Sequence, residues 1–341
     1  MTIEFQILCL GALFTLLVIY RAEPIARQLG VMDHPGGQDH KKHHRATPLV
    51  GGIASIPPVA AVLVAGFAFS AYRAEHGLAM LAMAFATAMS FLVGLTDDRQ
   101  HIPALRRLVL CGSVFVCTIL IAPEFSVSAL DFQSVGVTTD LGALSIPFSA
   151  LCLLALQNSV NMSDGRNGLV SGLCILWLST LLSYGPHPLS TALLSLLCGL
   201  IIVFVANMRG HIFLGDAGTY GIGAFIGLAI IWMHRSNIGL QTLDVAVILA
   251  VPILDMLRLF AFRLANGSSP FKADHDHLHH YLDDSIGWNR GLYVYLAMQI
   301  LPIIAVRLNL APKIAVFVCV CLLYLGTLVA CRMRIAARRM A

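Results

Sequence analysis

Apolar stretches of about 17 to 22 residues, separated by polar loops, recur along the whole chain. A helix of about 20 apolar residues is long enough to cross the hydrocarbon core of a bilayer. The pattern predicts eleven transmembrane helices, at residues 3–20, 49–71, 77–95, 105–122, 143–161, 168–184, 188–206, 217–233, 242–262, 291–306 and 311–331. We therefore expect an all-α polytopic membrane protein.

The composition agrees with this interpretation, because 58% of the 341 residues are hydrophobic and only 12% are charged. A soluble domain of this length does not bury so much apolar surface. The first segment lacks a basic n-region and a small-residue cleavage site and is followed directly by Arg21, which favours a retained helix over a signal peptide. The chain has no low-complexity tract and no repeat of fixed period, so we expect one integral membrane domain over residues 1–341.

Lys and Arg residues are distributed unevenly over the loops. If the N-terminus is outside, 18 of the 22 Lys and Arg residues fall on the inner side of the membrane. Cytoplasmic loops carry such an excess of positive charge. The sequence therefore predicts an outside N-terminus and, after eleven crossings, a cytoplasmic C-terminus.

All nine cysteines lie in apolar runs without Cys-x-x-Cys spacing. This placement is typical of small buried hydrophobic residues, and it argues against a disulfide framework or a zinc ribbon.

Dense polar clusters occur only on loops that the charge distribution assigns to the cytoplasm. These loops lie near residues 34–52, 96–107, 158–169, 207–218 and 263–290. A transporter would carry polar groups or broken helices near the middle of the membrane, where they serve both sides in turn. The one-sided pattern favours an enzyme that works at the inner membrane face.

Asp97 and Asp98 follow an apolar helix directly and precede three arginines. An ionised Asp within the membrane costs several kcal/mol, so the pair must face water or hold a counter-ion. The two residues are candidates for a functional site. The alternative is that they only mark a helix end.

The first inner loop concentrates cationic side chains beside Gly and Pro residues. These side chains are Lys41, Lys42, His43, His44 and Arg45. Such donors suit phosphate oxygens, although a basic cluster beside a membrane also attracts anionic lipid head groups.

Two further inner loops carry amides and acids. Asn158 and Asn161 are three residues apart and share one face of a helix end, which is followed by an Asp-Gly turn at Asp164. A helix cap with a turn would explain the same residues. Asp216 lies between glycines at the start of the eighth predicted helix, where a backbone can approach a ligand closely. An ordinary N-cap is the alternative.

The last inner loop contains a histidine cluster, made of His275, His277, His279 and His280. These imidazoles can donate to phosphate or bind a metal. We prefer phosphate and sugar contacts, because positions 277 and 280 share a helix face whereas position 279 points elsewhere, which does not suit one zinc ion. We interpret Asp255 and Arg258, one helical turn apart, as a buried ion pair that orients a helix.

The clusters in combination indicate a reaction. Carboxylates and amides suit Mg²⁺, which commonly bridges a protein carboxylate and a diphosphate. Phosphoryl transfer needs little more than this metal, cationic groups and an aligned nucleophile. We expect Mg²⁺-dependent phosphoryl chemistry at the inner face, with one substrate from the lipid and one from water.

Five ordered stretches on inner loops together resemble a known family. They read KKHHRATPLVGG at residues 41–52, TDDRQHIPALRR at 96–107, NSVNMSDGRNGL at 158–169, FLGDAG at 213–218 and SPFKADHDHLHH at 269–280. The chain is similar to the polyprenyl-phosphate N-acetylhexosamine-1-phosphate transferases, and most to the bacterial branch that acts on undecaprenyl phosphate.

The resemblance implies roles for individual residues. Asp216 and Asn161 correspond to the Mg²⁺ site, with Mn²⁺ as a substitute metal. Asp97 corresponds to a carboxylate that deprotonates or orients the lipid phosphate, and Asp98 supports it. Phe213 corresponds to an aromatic residue that stacks on uracil. Further substrate contacts are implied for Asn158, Asp164, Asn167, Lys42, His43, Arg45, His277, His279 and His280.

The implied reaction transfers N-acetylglucosamine-1-phosphate, or another N-acetylhexosamine-1-phosphate, from a UDP-sugar to undecaprenyl phosphate and starts cell-envelope polysaccharide synthesis. The implied location is the bacterial inner membrane, among membrane lipid and without a nucleic-acid partner, and a homodimer is left open. Two alternatives remain: the transferase that uses UDP-muramoyl-pentapeptide, and a non-enzymatic transporter on the same scaffold.

Two positions depart from the family pattern. Asn167 stands where the bacterial branch usually has Asp, and Arg166 adds a cation beside it. A basic residue expected near Leu105 is missing, and Arg106 or Arg107 is its candidate substitute.

Overall fold

The computed structural model describes residues 3–35, 45–69, 73–132, 136–236, 238–271 and 275–340. These residues form thirteen α-helices: α1 (Ile3–Tyr20), α2 (Ala22–Leu29), α3 (Gly51–Phe69), α4 (Arg73–Gln100), α5 (Ala104–Ile121), α6 (Ser145–Ser163), α7 (Leu169–Leu182), α8 (Ser190–Met208), α9 (Gly215–Arg235), α10 (Thr242–Ala265), α11 (Leu278–Ile286), α12 (Trp288–Arg307) and α13 (Lys313–Met340). Two antiparallel strand pairs complete the fold: β1 (Met32–Asp33) with β2 (Thr47–Pro48), and β3 (Ala129–Phe132) with β4 (Val137–Asp140).

Nine of the described helices are long and apolar enough to cross a membrane. The bent pair of α1 and α2, with an angle of 77°, would be a tenth span, and α7 is a shorter apolar helix. The predicted all-α polytopic membrane fold is confirmed. The count of eleven crossings and their orientation stay predictions.

The chain forms two compact units. The first comprises Met1–Ser128 and Leu141–Gly239, and therefore α1 to α9 with the β1–β2 pair. The second comprises Ala129–Asp140 and Leu240–Ala341, with the β3–β4 hairpin and α10 to α13. The single-domain organisation expected from the sequence stays a prediction.

Helix α9 is the centre of the first unit, and 94% of its most apolar 18-residue stretch is buried. Its neighbours approach it through glycines. A Cβ atom on Gly94 of α4 would lie 2.2 Å from the carbonyl oxygen of Asp216, and one on Gly52 of α3 would lie 2.2 Å from the backbone nitrogen of Gly218. The backbones of α3 and α4 therefore touch the first turns of α9 directly, as small residues allow in membrane helices.

In the second unit, one side chain satisfies the backbone carbonyl group that Pro252 leaves without a partner in α10. Pro252 has no N–H to donate to the carbonyl one turn earlier, at Ile248. The side-chain amide of Gln299 on α12 donates to the carbonyls of Ile248, at 2.7 Å, and Val247, at 3.0 Å. Since a bilayer supplies no water to replace such bonds, Gln299 makes the proline tolerable in this helix.

The nine cysteines are all free, as the sequence predicts. The expectation that they are all buried is wrong, because Cys9, Cys117 and Cys319 are exposed. An apolar run predicts a spanning helix but not which face of that helix packs inside the protein, since lipid and protein interior are similarly apolar.

We predict that Gly94→Ala lowers the apparent Tm of the purified protein in detergent. The added methyl group would overlap the backbone at Asp216, and overpacking of this kind costs about 1–3 kcal/mol. The matched control is Gly112→Ala in α5, whose Cβ would lie 3.5 Å from Leu154, an ordinary contact distance. Equal Tm values for the two variants would contradict the close packing described here.

Candidate functional site

Three carboxylates of the first unit meet where α4 ends and α9 begins. Asp97 and Asp98 lie in the last turn of α4, and Asp216 lies in the first turn of α9. The structure therefore brings Asp216 to two adjacent acids that lie more than a hundred positions before it in the sequence.

Asp98 caps the start of α9. One carboxylate oxygen accepts the backbone N–H of Asp216 at 2.8 Å, and the other accepts the N–H of Ala217 at 2.9 Å. The first N–H groups of a helix have no partner within the helix, and an anion is stabilised at this end. Gly215 has a φ of 75°, and a Cβ there would lie 2.8 Å from the Asp98 carboxylate. The cap thus needs both the acid and the glycine.

Asp97 is held by a different set of contacts. Its side chain is 0% exposed, and its carboxylate accepts the Ile102 N–H at 2.6 Å and a hydrogen bond from Arg107 Nη1. The chain reverses after α4 through His101, which has a φ of 51°. This turn returns α5 and Arg107 to Asp97.

Arg107 is the cation of the cluster. Besides Asp97, its Nη1 lies 3.9 Å from Asp216 Oδ2. Its Nε is buried and has no hydrogen-bond partner among the described residues. Arg106 is exposed. Of the two arginines considered as substitutes for the missing basic residue, Arg107 is therefore the one at the carboxylates.

Asn161 contacts Asp216 through its amide nitrogen. Nδ2 donates to Asp216 Oδ1 at 2.6 Å and lies 3.0 Å from Thr219 Oγ1. Sequence reasoning missed Thr219, although its position three residues after Asp216 places it on the same helix face. Asn161 thus orients the Asp216 carboxylate, and Thr219 contacts the same Asn161 amide and the backbone carbonyl of Asp216.

The acids differ in their access to a ligand. The Asp216 side chain is 32% exposed, whereas that of Asp97 is fully buried. Among the described residues, no group of three or more His, Cys, Asp or Glu side chains is arranged to hold a metal ion. Mg²⁺ does not need such a cage, because one or two carboxylates with substrate phosphates commonly bind it. The open carboxylate of Asp216 fits this kind of metal site.

The backbone of Phe213 is clamped beside the segment that follows Arg45. Its N–H donates to the Pro48 carbonyl at 2.9 Å, and its carbonyl accepts the Gly51 N–H at 3.0 Å. Phe213 is half-buried and Arg45 is exposed. The predicted binding residues Lys42 and His43 lie outside the described part of the chain.

Asn207, at the end of α8, is a second residue that sequence reasoning missed. Its Oδ1 accepts the Gly168 N–H at 2.6 Å, and its Nδ2 donates to the Ile212 carbonyl at 2.9 Å. Asn207 is buried. It joins the turn that contains Asn167 to the segment that leads into Phe213. The sequence feature that could have identified Asn207 is an Asn placed between an apolar helix and a Gly-containing loop.

The other predicted residues of the first unit are more peripheral. The Asn167 amide lies near Gly210. Asp164 is exposed and terminates α6, where its N–H donates to the Asn161 carbonyl at 3.1 Å. Asn158 donates to the Leu154 carbonyl of its own helix at 2.8 Å. The cap-and-turn alternative therefore describes the contacts of Asp164 and Asn158.

The histidine rings of the second unit form one cluster. Ring centroids are 5.2 Å apart for His277 and His279, 4.2 Å for His279 and His280, and 6.3 Å for His277 and His280. The expectation that His279 points away is wrong, because α11 begins only at Leu278 and His277 precedes it in extended conformation. The predicted Asp255–Arg258 ion pair is present, at 3.0 Å.

Comparison with known proteins gives a consistent result. The model of glycosyl transferase family 4 matches residues 80–234. The chain is 28% identical to the undecaprenyl-phosphate alpha-N-acetylglucosaminyl 1-phosphate transferase of Escherichia coli (strain K12), over 84% of this chain and 78% of that protein. It is also 28% identical to the transferase of the same name from Yersinia pestis, over 92% and 88% of the two chains. A probable undecaprenyl-phosphate N-acetylglucosaminyl 1-phosphate transferase of Bacillus subtilis (strain 168) is 28% identical over 80% of this chain and 75% of that protein.

We predict that Asp98→Ala destabilises the first turn of α9. Loss of an N-cap costs about 0.5–2 kcal/mol, and the two freed N–H groups should exchange faster with solvent. Hydrogen exchange at Asp216 and Ala217, together with the apparent Tm, measures both effects. Thr96→Ala is the control, because the exposed Thr96 hydroxyl bonds, among the described residues, only the Leu92 carbonyl of its own helix. Unchanged protection in Asp98→Ala would exclude the capping role.

Proposed function

We propose that this chain is a member of glycosyl transferase family 4 that transfers N-acetylglucosamine-1-phosphate from its UDP-sugar to undecaprenyl phosphate and releases UMP. The observation that carries the proposal is the partly open Asp216 carboxylate beside Arg107, within the residues that the family model matches. The names of the relatives support this donor and acceptor over a muramoyl-pentapeptide donor.

The reaction joins two phosphates. An oxygen of the lipid phosphate attacks the phosphorus that bears the sugar, and the bond from that phosphorus to the UMP oxygen breaks. UMP leaves with the electron pair, and the product is a lipid diphosphate sugar. Catalysis of phosphoryl transfer is mostly positioning and electrostatic stabilisation. The protein therefore needs fixed charges more than a strong base.

Asp216 is the proposed Mg²⁺ ligand, with Mn²⁺ as a substitute metal. Asn161 orients its carboxylate and is the proposed second contributor through its amide, and Thr219 contacts that amide. When bound, the metal would neutralise charge on the diphosphate as it develops.

Asp97 serves in this proposal as a fixed anion and not as a general base. Both of its oxygens accept hydrogen bonds, and its side chain has no exposed surface. A phosphate monoester has a second pKa near 6, so the lipid phosphate is largely a dianion at neutral pH without help from a base. Asp97 then acts through Arg107, whose position near Asp216 suits contact with substrate phosphates.

Phe213 and Asn167 are the proposed nucleotide-binding residues. Asn207 holds their two segments together, which limits how far the uracil site can open. Arg45, Lys42, His43 and the histidine cluster are the proposed diphosphate and sugar contacts. We place the protein in a bacterial inner membrane with this site facing the cytoplasm, at the first step of an envelope polysaccharide of the O-antigen, common-antigen or teichoic-acid type.

Membranes that contain the protein should convert one UDP-sugar of a panel into butanol-soluble product and UMP. We expect UDP-N-acetylglucosamine to react, and UDP-N-acetylgalactosamine and UDP-muramoyl-pentapeptide to fail. Product from the pentapeptide donor alone would refute the proposal. Absence of UMP-dependent exchange into UDP-sugar would favour a non-enzymatic transporter.

We predict that Asp216→Asn abolishes metal-dependent transfer while the protein stays folded. A charged metal ligand contributes several kcal/mol of transition-state stabilisation. Turnover is measured at saturating Mg²⁺, with Asp140→Asn as a control that changes an exposed acid of the β3–β4 hairpin. The metal assignment fails if the variant keeps more than about a tenth of wild-type turnover, which is a loss below 1.4 kcal/mol.

We predict that Phe213→Ala weakens binding of UMP and UDP-sugar by about ten- to a hundredfold, because stacking of a base on an aromatic ring contributes about 1–3 kcal/mol. Phe213→Trp keeps an aromatic face and should bind within about threefold of the wild type. Titration calorimetry with UMP and CMP tests both variants. Equal affinities of the wild type for the two nucleotides would rule out reading of uracil at this site.

A further inference from the structure

The Asp255 carboxylate of the second unit contacts several groups besides its ion-pair partner Arg258. Its carboxylate is buried and accepts hydrogen bonds on both oxygens. Oδ1 accepts from the Tyr324 hydroxyl at 2.7 Å, Arg258 Nη2 at 3.0 Å and the Leu278 N–H at 3.2 Å. Oδ2 lies 2.8 Å from His277 Nδ1. One acid on α10 therefore fixes the residue that precedes α11.

The chemistry of the partners determines which atom carries the proton. An ionised carboxylate only accepts hydrogen bonds. Asp255 is paired with Arg258, so His277 Nδ1 must be the donor in the contact between the two side chains. Nε2 lies on the other edge of the ring and is turned away from Asp255. Backbone bonds from His280 and Tyr281 to the His277 carbonyl, at 3.1 and 3.3 Å, fix the residue further.

We propose that Asp255 is a positioning residue that fixes the tautomer and orientation of His277, and that His277 Nε2 thereby accepts a hydrogen bond from the sugar of the donor substrate. The inference rests on the proposed function, in which the histidine cluster contacts the UDP-sugar. In the neutral ring with its proton on Nδ1, Nε2 is an acceptor. A sugar hydroxyl or acetamido N–H offers a proton to it, whereas an ionised phosphate oxygen offers none.

The variant Asp255→Asn should reverse the tautomer. Its amide oxygen can keep the three donors that now bond Oδ1, which leaves the amide NH₂ facing His277 Nδ1. Only an unprotonated Nδ1 accepts from that group, so the proton moves to Nε2. Nε2 then carries a hydrogen and faces the donor group of the sugar, so the two groups cannot form a hydrogen bond. We expect UDP-N-acetylglucosamine to bind about tenfold or more weakly, since one such mismatch is comparable to a lost hydrogen bond, while UMP binds within about twofold of the wild type.

Tyr324→Phe is the matched control. It removes a donor to the same carboxylate but leaves the Oδ2 contact with His277 intact. We expect the tautomer to be unchanged and the UDP-sugar affinity to stay within about threefold of the wild type. A structural role of Asp255 alone would make the two variants behave alike.

The tautomer is read from ¹⁵N chemical shifts of histidine-labelled protein in nanodiscs, with His277→Gln used to assign the signal. A wild-type His277 that carries its proton on Nε2 overturns the proposal without any variant. The sugar contact is refuted if Asp255→Asn binds the UDP-sugar normally, or if it weakens UMP and UDP-sugar equally. A wild type that transfers no sugar phosphate refutes the proposed function instead, and the ¹⁵N result still decides whether Asp255 fixes His277.

Discussion

The bond between the Asp98 carboxylate and the first turn of α9 is the contact on which the candidate site depends. It satisfies two backbone donors, at Asp216 and Ala217, that a helix start leaves without partners inside the helix. In the last turn of α4 the helix dipole disfavours an anion, and the first turn of α9 supplies the opposite field. The same bond therefore stabilises the acid and fixes Asp216 beside Asp97, at a distance that glycines on both helices allow.

The buried acids among the described residues are compensated differently from the partly exposed Asp216. Asp97, Asp244 and Asp255 each contact a cationic side chain: Arg107, Lys313 and Arg258. An ionised carboxylate away from water is costly unless it is paired, so these contacts hold the fold and orient neighbouring groups. Asp216 differs, because its nearest arginine nitrogen is 3.9 Å away and a third of its side chain is exposed. This acid is therefore the one to which the proposal assigns the added cation.

The sequence by itself determined the fold class and which polar residues are candidates for a functional site. Hydrophobic length is a local property, so helices such as α5, α8 and α10 could be predicted from runs of apolar residues alone. Polar clusters on one side of the predicted topology likewise indicated Asp97, Asn161 and Asp216, which the structure places together. The Asp255–Arg258 pair was predictable because helix geometry brings residues three apart onto one face.

Only the tertiary structure decided what each polar residue does. The cap by Asp98, the choice of Arg107 over Arg106 and the clamp by Asn207 involve partners 118, 10 and 39 positions away. The stacking of His279 on His277 depends on where α11 begins, which no periodic pattern predicts to within one residue. The physical reason is that a hydrogen bond is directional and acts over about 3 Å, whereas hydrophobic burial is non-directional and can be read from the order of residues along the chain.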